Sequence, residues 1–174
     1  FENCVVVGQG RRATIIDLVS TTQNGFVFTG DGVGFESLCI RAAVSATAGA
    51  AVKWVSGSHP FARNFQISRA FRAMENVDAY GGQIEDFYIA GQVEAGILQR
   101  SIAEPDRGDW TITNGTFDSS VANSIAIAFR SGGGYKVSNL KILGHHTALD
   151  FRAEDTTTTL TQAAITGDST LHLA

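Results

Sequence analysis

The sequence predicts an all-β solenoid: a single-stranded parallel β-helix of about seven coils. Three observations carry that expectation. A short strand pattern recurs seven times, a second strand pattern recurs ahead of each copy, and no stretch holds a long amphipathic helix.

The first pattern appears as ENCVVVG (2–8), ESLCIRA (36–42), RNFQISR (63–69), EDFYIAG (85–91), GDWTITN (108–114), SNLKILG (138–144) and TQAAITG (161–167). Each copy has a small polar residue, an apolar residue, any residue, a further apolar residue, and then a turn. The apolar pairs are Cys4/Val6, Leu38/Ile40, Phe65/Ile67, Phe87/Ile89, Trp110/Ile112, Leu140/Ile142 and Ala163/Ile165. Successive copies are 34, 27, 22, 23, 30 and 23 residues apart. A spacing near 22 that tolerates longer insertions is what a solenoid with loops on its coils produces.

The second strand lies about 13 residues before each following copy. Its two inward columns read Phe26, Val52, Met74, Ile97, Ile127, Leu149, Leu171 and Phe28, Trp54, Asn76, Gln99, Phe129, Phe151, Leu173. The alternation has period two, as strands require. Asn76 and Gln99 interrupt the apolar column, and a buried amide needs a partner, so they are expected to bond each other along the stack.

The opening VVVGQGRRATIID contains Gly8-x-Gly10, the outline of a dinucleotide-binding turn. That fold needs a crossover helix next. Here a strand-like ATIID and a turn-like STTQNG follow, so the glycines read as turn residues at positive φ.

Composition fits one globular domain over 1–174: 44% hydrophobic and 17% charged residues, with 19 glycines against 2 prolines. A formal charge of −4 argues against a nucleic-acid partner. No apolar run is long enough for membrane insertion. The chain begins at Phe1 and stops inside the pattern at GDSTLHLA, so it reads as a piece of a longer protein. Two cysteines make no disulfide framework. His145-His146 has no neighbouring acids or cysteines, and neither metal nor cofactor is expected.

VVVGQGRRATIID resembles the opening coil of the pectate-lyase-like right-handed β-helix superfamily, and VSNLKILG and RNFQIS are similar to its repeats. Within that superfamily the glycine-rich, proline-poor coils look most like phage tailspike and depolymerase domains. The resemblance implies a right-handed helix, a homotrimer, a place in a virion tail or outside the cell among other tail proteins, and a bacterial surface polysaccharide as partner. Function is not fixed by fold.

Residues in one outward column stand on neighbouring coils, about 4.8 Å apart. The first outward column reads Asn3, Ser37, Asn64, Asp86, Asp109, Asn139, Gln162; the next includes Cys39, Gln66, Tyr88, Thr111 and Lys141. Amides and a tyrosine suit sugar hydroxyls, which makes Asn64, Gln66, Tyr88 and Lys141 candidate binding residues. Asp86 and Asp109 would be neighbours, a carboxylate pair at the spacing of a retaining glycosidase and the candidate catalytic pair. The alternative is a ladder in which Asn, Asp and Ser bond local backbone at turns. A third column ends in Arg100, Arg130 and Arg152, a stripe suited to an acidic glycan. Glu104, Asp106, Asp150, Glu154 and Asp155 lie near enough in sequence to neutralise it. The loop GTFDSSVANS (115–124) adds Asp118 as a possible groove residue.

The expected function is a tailspike-like β-helix that binds, and as an enzyme would hydrolyse or eliminate, a surface polysaccharide. The alternatives are a non-catalytic shaft and a pectate-type lyase needing clustered calcium-binding carboxylates.

Overall fold

The computed structural model describes residues 1–42, 46–101, 108–131 and 133–152, together with the backbone of 164–165 and 171–172. Its strands are β1 (Val5–Val7), β2 (Ile15–Leu18), β3 (Phe26–Phe28), β4 (Gly34–Glu36), β5 (Cys39–Ala42), β6 (Ala50–Trp54), β7 (Phe61–Ser68) and β8 (Arg72–Asn76). They continue as β9 (Gln83–Ala90), β10 (Ala95–Gln99), β11 (Thr111–Asp118), β12 (Ile125–Phe129), β13 (Lys136–Leu143) and β14 (Thr147–Phe151). Two short strands follow, β15 (Ala164–Ile165) and β16 (Leu171–His172). There is no helix among the described residues, and the dinucleotide reading falls with it.

The chain winds as a parallel β-helix. One sheet stacks β1, β4, β7, β9, β11 and β13, with β2 and β5 alongside; the other stacks β3, β6, β8, β10, β12 and β14. Six rungs make five full turns, fewer than the seven coils the repeat suggested. The count falls short at the C-terminal end: β16 pairs with β13 antiparallel, Val137 opposite Leu171, and β15 pairs antiparallel with β16. Gln162, Ala163 and Leu173 lie outside the described residues.

The second sheet has the register its sequence pattern predicts through six rungs. Phe26, Val52, Met74, Ile97, Ile127 and Leu149 stand in one column, and Phe28, Trp54, Asn76, Gln99, Phe129 and Phe151 in another. The first sheet differs at two rungs. Phe65 and Phe87 are followed by Gly115 and Leu140, and Ile67 and Ile89 by Phe117 and Ile142. Trp110 therefore belongs to an earlier column, and Ile112 stands beside Ile84 and Val137. In the first rung Val6 stands beside Phe35, whereas Ile16 of the ATIID segment takes the place opposite Ile40.

The reason is packing. A Cβ on Gly115 would lie 2.0 Å from the Phe87 ring, so that rung leaves the space to its neighbour's phenyl group. Phe87 meets Phe117 edge-on at 5.0 Å. Gly82 makes the same allowance for the indole of Trp110, 2.4 Å from where its Cβ would be. Phe28, Trp54, Phe65, Met74, Ile84, Ile89 and Phe117 are fully buried. Burial of each such side chain stabilises the coil stack by about 2 kcal/mol.

Two bends turn the first sheet around the core, and both use the left-handed region. Ser37, Asn64, Asp86, Asn114 and Asn139 have φ between 50° and 58° at one bend. Asn3, Gly32, His59, Gly81, Asp109 and Gly134, each two residues ahead of a strand, have φ between 48° and 70° at the other. Asn, Asp and Gly tolerate this conformation where most L-residues are strained by about 1–2 kcal/mol.

Candidate functional site

The two bends decide the candidate catalytic pair. In the β9–β11 register Glu85 faces Thr113 and Phe87 faces Gly115, which sets Asp86 opposite Asn114. Asp109 lies two residues before Thr111, the partner of Gln83, and stands beside Gly81 at the other bend. The expected Asp86–Asp109 neighbours are thus five strand positions apart along the chain direction, and no carboxylate pair forms in that column. The column forms a ladder of a different kind from the local backbone caps expected: side chains bond between rungs, Asn64 Nδ2 donating to Ser37 Oγ at 3.0 Å and Asn139 Nδ2 to Asn114 Oδ1 at 2.6 Å.

The arginine stripe is present as predicted. Arg100, Arg130 and Arg152 follow Gln99, Phe129 and Phe151 on consecutive rungs. Each has an acidic partner. Arg100 reaches Glu75 Oε1 at 2.5 Å, Arg130 reaches Asp150 Oδ2 at 2.9 Å, and Arg152 also bonds Asp150. Burial alone would raise the Asp150 carboxyl, but hydrogen bonds and charge from Arg152 and Arg130 win and hold it below the usual carboxylate range. Glu75, 1% exposed, also faces Lys53 at 3.7 Å and Arg72 at 3.4 Å. The stripe is therefore tied into an ion-pair network in which Asp150 is shared by two arginines and Glu75 by three cations. Of its expected partners only Asp150 is among the described residues; Glu104, Asp106, Glu154 and Asp155 lie outside them. Asn76 and Gln99 are buried but do not bond each other. The Asn76 amide closes a turn with the backbone of Ala79, and the side-chain amide of Gln99 has no partner among the described residues.

The outer face of the first sheet does assemble a site. Between β1 and β2, residues 8–14 leave the rung and arch over the sheet. Gly10 N donates to Ser37 O at 2.7 Å, and Cys39 N donates to Thr14 O at 2.8 Å. Within the loop, Ala13 N and Thr14 N donate to Gly10 O, both at 3.0 Å, and Gln9 N donates to Thr14 Oγ1 at 2.9 Å. Gly8 is demanded by the close approach, since a Cβ would lie 2.2 Å from Ser37 O. Gly10 is demanded by its φ of 137°. Cys39, outward in register, is buried beside this loop, and burial pushes its thiol up.

Loop and sheet enclose a groove of about 720 Å³, lined by Gln9, Gly10, Arg11, Arg12, Ala13, Asn64, Gln66 and Tyr88. Three of the predicted sugar-binding residues therefore share one groove. Their column continues from Gln66 and Tyr88 through Thr116 to Lys141, two rungs beyond Tyr88 and exposed. Arg100, Arg130 and Arg152 belong to the other sheet and take no part.

Tyr88 Oη donates to Asp118 Oδ2 at 2.9 Å. That bond, with some burial and the carboxylate's charge, raises the phenol above its usual range. Asp118 ends β11 instead of opening a loop. It lies on the same outward face as Tyr88, one rung on and two positions along from Thr116. His145, beside Gln92 and against the Phe117 ring, is lowered by burial. No metal-binding group of three His, Cys, Asp or Glu occurs among the described residues.

Gln9, Arg11 and Arg12 were not singled out in the sequence as binding residues. The available signal was two adjacent arginines in a glycine-bounded insertion on an acidic chain. No protein-family model matches the chain, and no curated protein is significantly similar to it.

Proposed function

We propose that the chain is a polysaccharide-binding β-helix of the tailspike-like kind, gripping a bacterial surface polysaccharide on the outer face of its first sheet. One observation carries this reading: six of the eight residues lining the groove between the 8–14 loop and the sheet, Gln9, Arg11, Arg12, Asn64, Gln66 and Tyr88, carry an amide, guanidinium or phenol group. Amides donate and accept at once, which matches adjacent sugar hydroxyls. The Tyr88 proton is engaged by Asp118, so its oxygen is left to accept from a hydroxyl. A rigid coil stack holds these groups at fixed spacing, which limits the ordering cost of binding.

The reading is one of binding. The carboxylate pair on which hydrolysis was expected to rest is not formed by Asp86 and Asp109, and no carboxylate lines the groove. The setting that goes with it is a virion tail or extracellular homotrimer beside other tail proteins, as the resemblance of the coils implies.

Affinity electrophoresis through gels containing single bacterial surface polysaccharides tests this. Retardation by at least one polysaccharide, abolished in a folded Gln66→Ala/Tyr88→Ala variant, is expected. Unchanged mobility throughout would make the chain a shaft whose polar column only shapes its bends.

A further inference from the structure

Most arginines among the described residues have a carboxylate within 4 Å. Arg41 pairs with Asp17, Arg63 with Glu36, Arg72 with Glu94 and Glu75, Arg100 with Glu75, and Arg130 and Arg152 with Asp150. Arg11 and Arg12 depart from this: among the described residues neither has an ion pair, and none of the groove's lining residues is acidic. Arg69 is also unpaired, but it sits in the turn after β7 and does not line the groove. On a chain of net charge −4, two arginines without an ion pair line the same groove as Gln9, Asn64 and Gln66.

We infer that Arg11 and Arg12 read charge, making the groove selective for an acidic sugar whose carboxylate or sulfate group they bind. This rests on the reading of the groove as a polysaccharide site. A guanidinium fork offers paired donors to an oxyanion and keeps its charge at every accessible pH. The loop that carries the arginines is tied at both ends to Ser37 and Cys39 and closed on itself through Gly10 and Thr14, so their backbone is ordered before a ligand arrives. The chain's net charge of −4 disfavours a polyanion at long range, and the two arginines supply a local field of opposite sign at the groove. Gln66 and Tyr88 then hold hydroxyls of the same or the adjoining sugar.

Two measurements on the whole chain test it. In the first, arginine Nε–Hε resonances are followed by NMR as sodium glucuronate, glucose 6-sulfate or methyl glucoside is added. Loss of the corresponding signals in Arg11→Lys and Arg12→Lys assigns them. Saturable shifts at Arg11 and Arg12 with either anionic sugar, absent with methyl glucoside and with sodium chloride of equal ionic strength, are expected. The two anions show whether carboxylate or sulfate is preferred. Arg69 is the internal control; shifts at Arg11 and Arg12 no larger than those at Arg69 overturn the inference.

In the second, binding of alginate and of carboxyl-reduced alginate is compared for the wild type and Arg11→Gln/Arg12→Gln. The wild type should prefer the acidic polymer, and the double variant should lose roughly tenfold in affinity for it, the equivalent of about 1.4 kcal/mol. Equal binding of both polymers, insensitive to the double substitution, sinks the charge-reading role and leaves the glycan reading standing. An absence of any glycan binding together with unresponsive arginines sinks both.

Discussion

Tyr88 and Asp118 lie on consecutive rungs of the first sheet, and the Tyr88 hydroxyl donates to Asp118 Oδ2 at 2.9 Å. The bond links the floor of the groove to the end of β11. It also makes the phenol harder to ionise, because a phenolate would lose its acceptor and face a carboxylate. A tyrosine raised in the folded state contributes stability that is complete below the unfolded value of about 10 and is lost as pH rises through the folded one. Tyr88→Phe should remove one partly buried hydrogen bond, about 1 kcal/mol. Above pH ~10 the wild type should lose stability more steeply than this variant. Absorbance titration should show the Tyr88 midpoint falling in Asp118→Asn. An unmoved midpoint would mean that the carboxylate does not govern the phenol.

The bend column predicts a substitution order that a catalytic role would not. Asp86 has φ of 52° and Asn114 φ of 55°. Asp86→Asn and Asn114→Gly should be close to neutral in thermal unfolding, whereas Asp86→Val should cost about 1–2 kcal/mol through left-handed strain. A stable Asp86→Val would remove the conformational explanation of this column.

Gly115 predicts an overpacking defect. A methyl group there would meet the Phe87 ring at 2.0 Å, and the ring is held by Phe65 on its other side at 5.6 Å. Gly115→Ala should destabilise by about 1–3 kcal/mol in denaturant unfolding. A compensating Phe87→Leu should restore part of the loss. No coupling between the two changes would contradict the register described for this rung.

Asp150 predicts an acid-side loss of stability. Its carboxyl is held low in the folded chain by Arg152 and Arg130 against the opposing effect of burial. A depressed carboxylate stabilises above the unfolded value near 3.9, and that contribution disappears as pH falls through the folded value. Asp150→Asn should cost on the order of 2 kcal/mol at neutral pH. The gap to wild type should close as the pH drops below about 4. A gap that persists at low pH would assign the effect to packing alone.

The second sheet was legible in the sequence because one inward column is apolar in all six rungs, the other in four of them, and no insertion falls inside a strand. Even its exceptions, Asn76 and Gln99, stand where the period-two pattern put them. The first sheet was harder. Coil five holds the sequence W-T-I and, five residues on, G-T-F; a pattern that asks for an apolar residue chooses Trp110, while the fold chooses Gly115. That choice depends on the volume of Phe87 in the next rung, which one strand's sequence does not contain. The same slip set Asp109 beside Asp86. Asn64, Gln66, Tyr88 and Lys141 were legible as outward residues, because alternation alone places them. The groove was not legible: its other wall is the insertion between β1 and β2, and only the fold shows that Arg11 and Arg12 line one groove with Gln66 and Tyr88. Glu75 was likewise hidden, since its partners come from three different rungs.

The measurement that tests the central claim most directly is an amide NMR footprint of the chain with an oligosaccharide cut from whichever polysaccharide retards it. Shifts confined to Gln9–Ala13, Asn64, Gln66 and Tyr88 and fading toward Lys141 are predicted. Shifts centred instead on Lys53, Arg100, Arg130 and Arg152 would move the site to the opposite sheet and contradict the account.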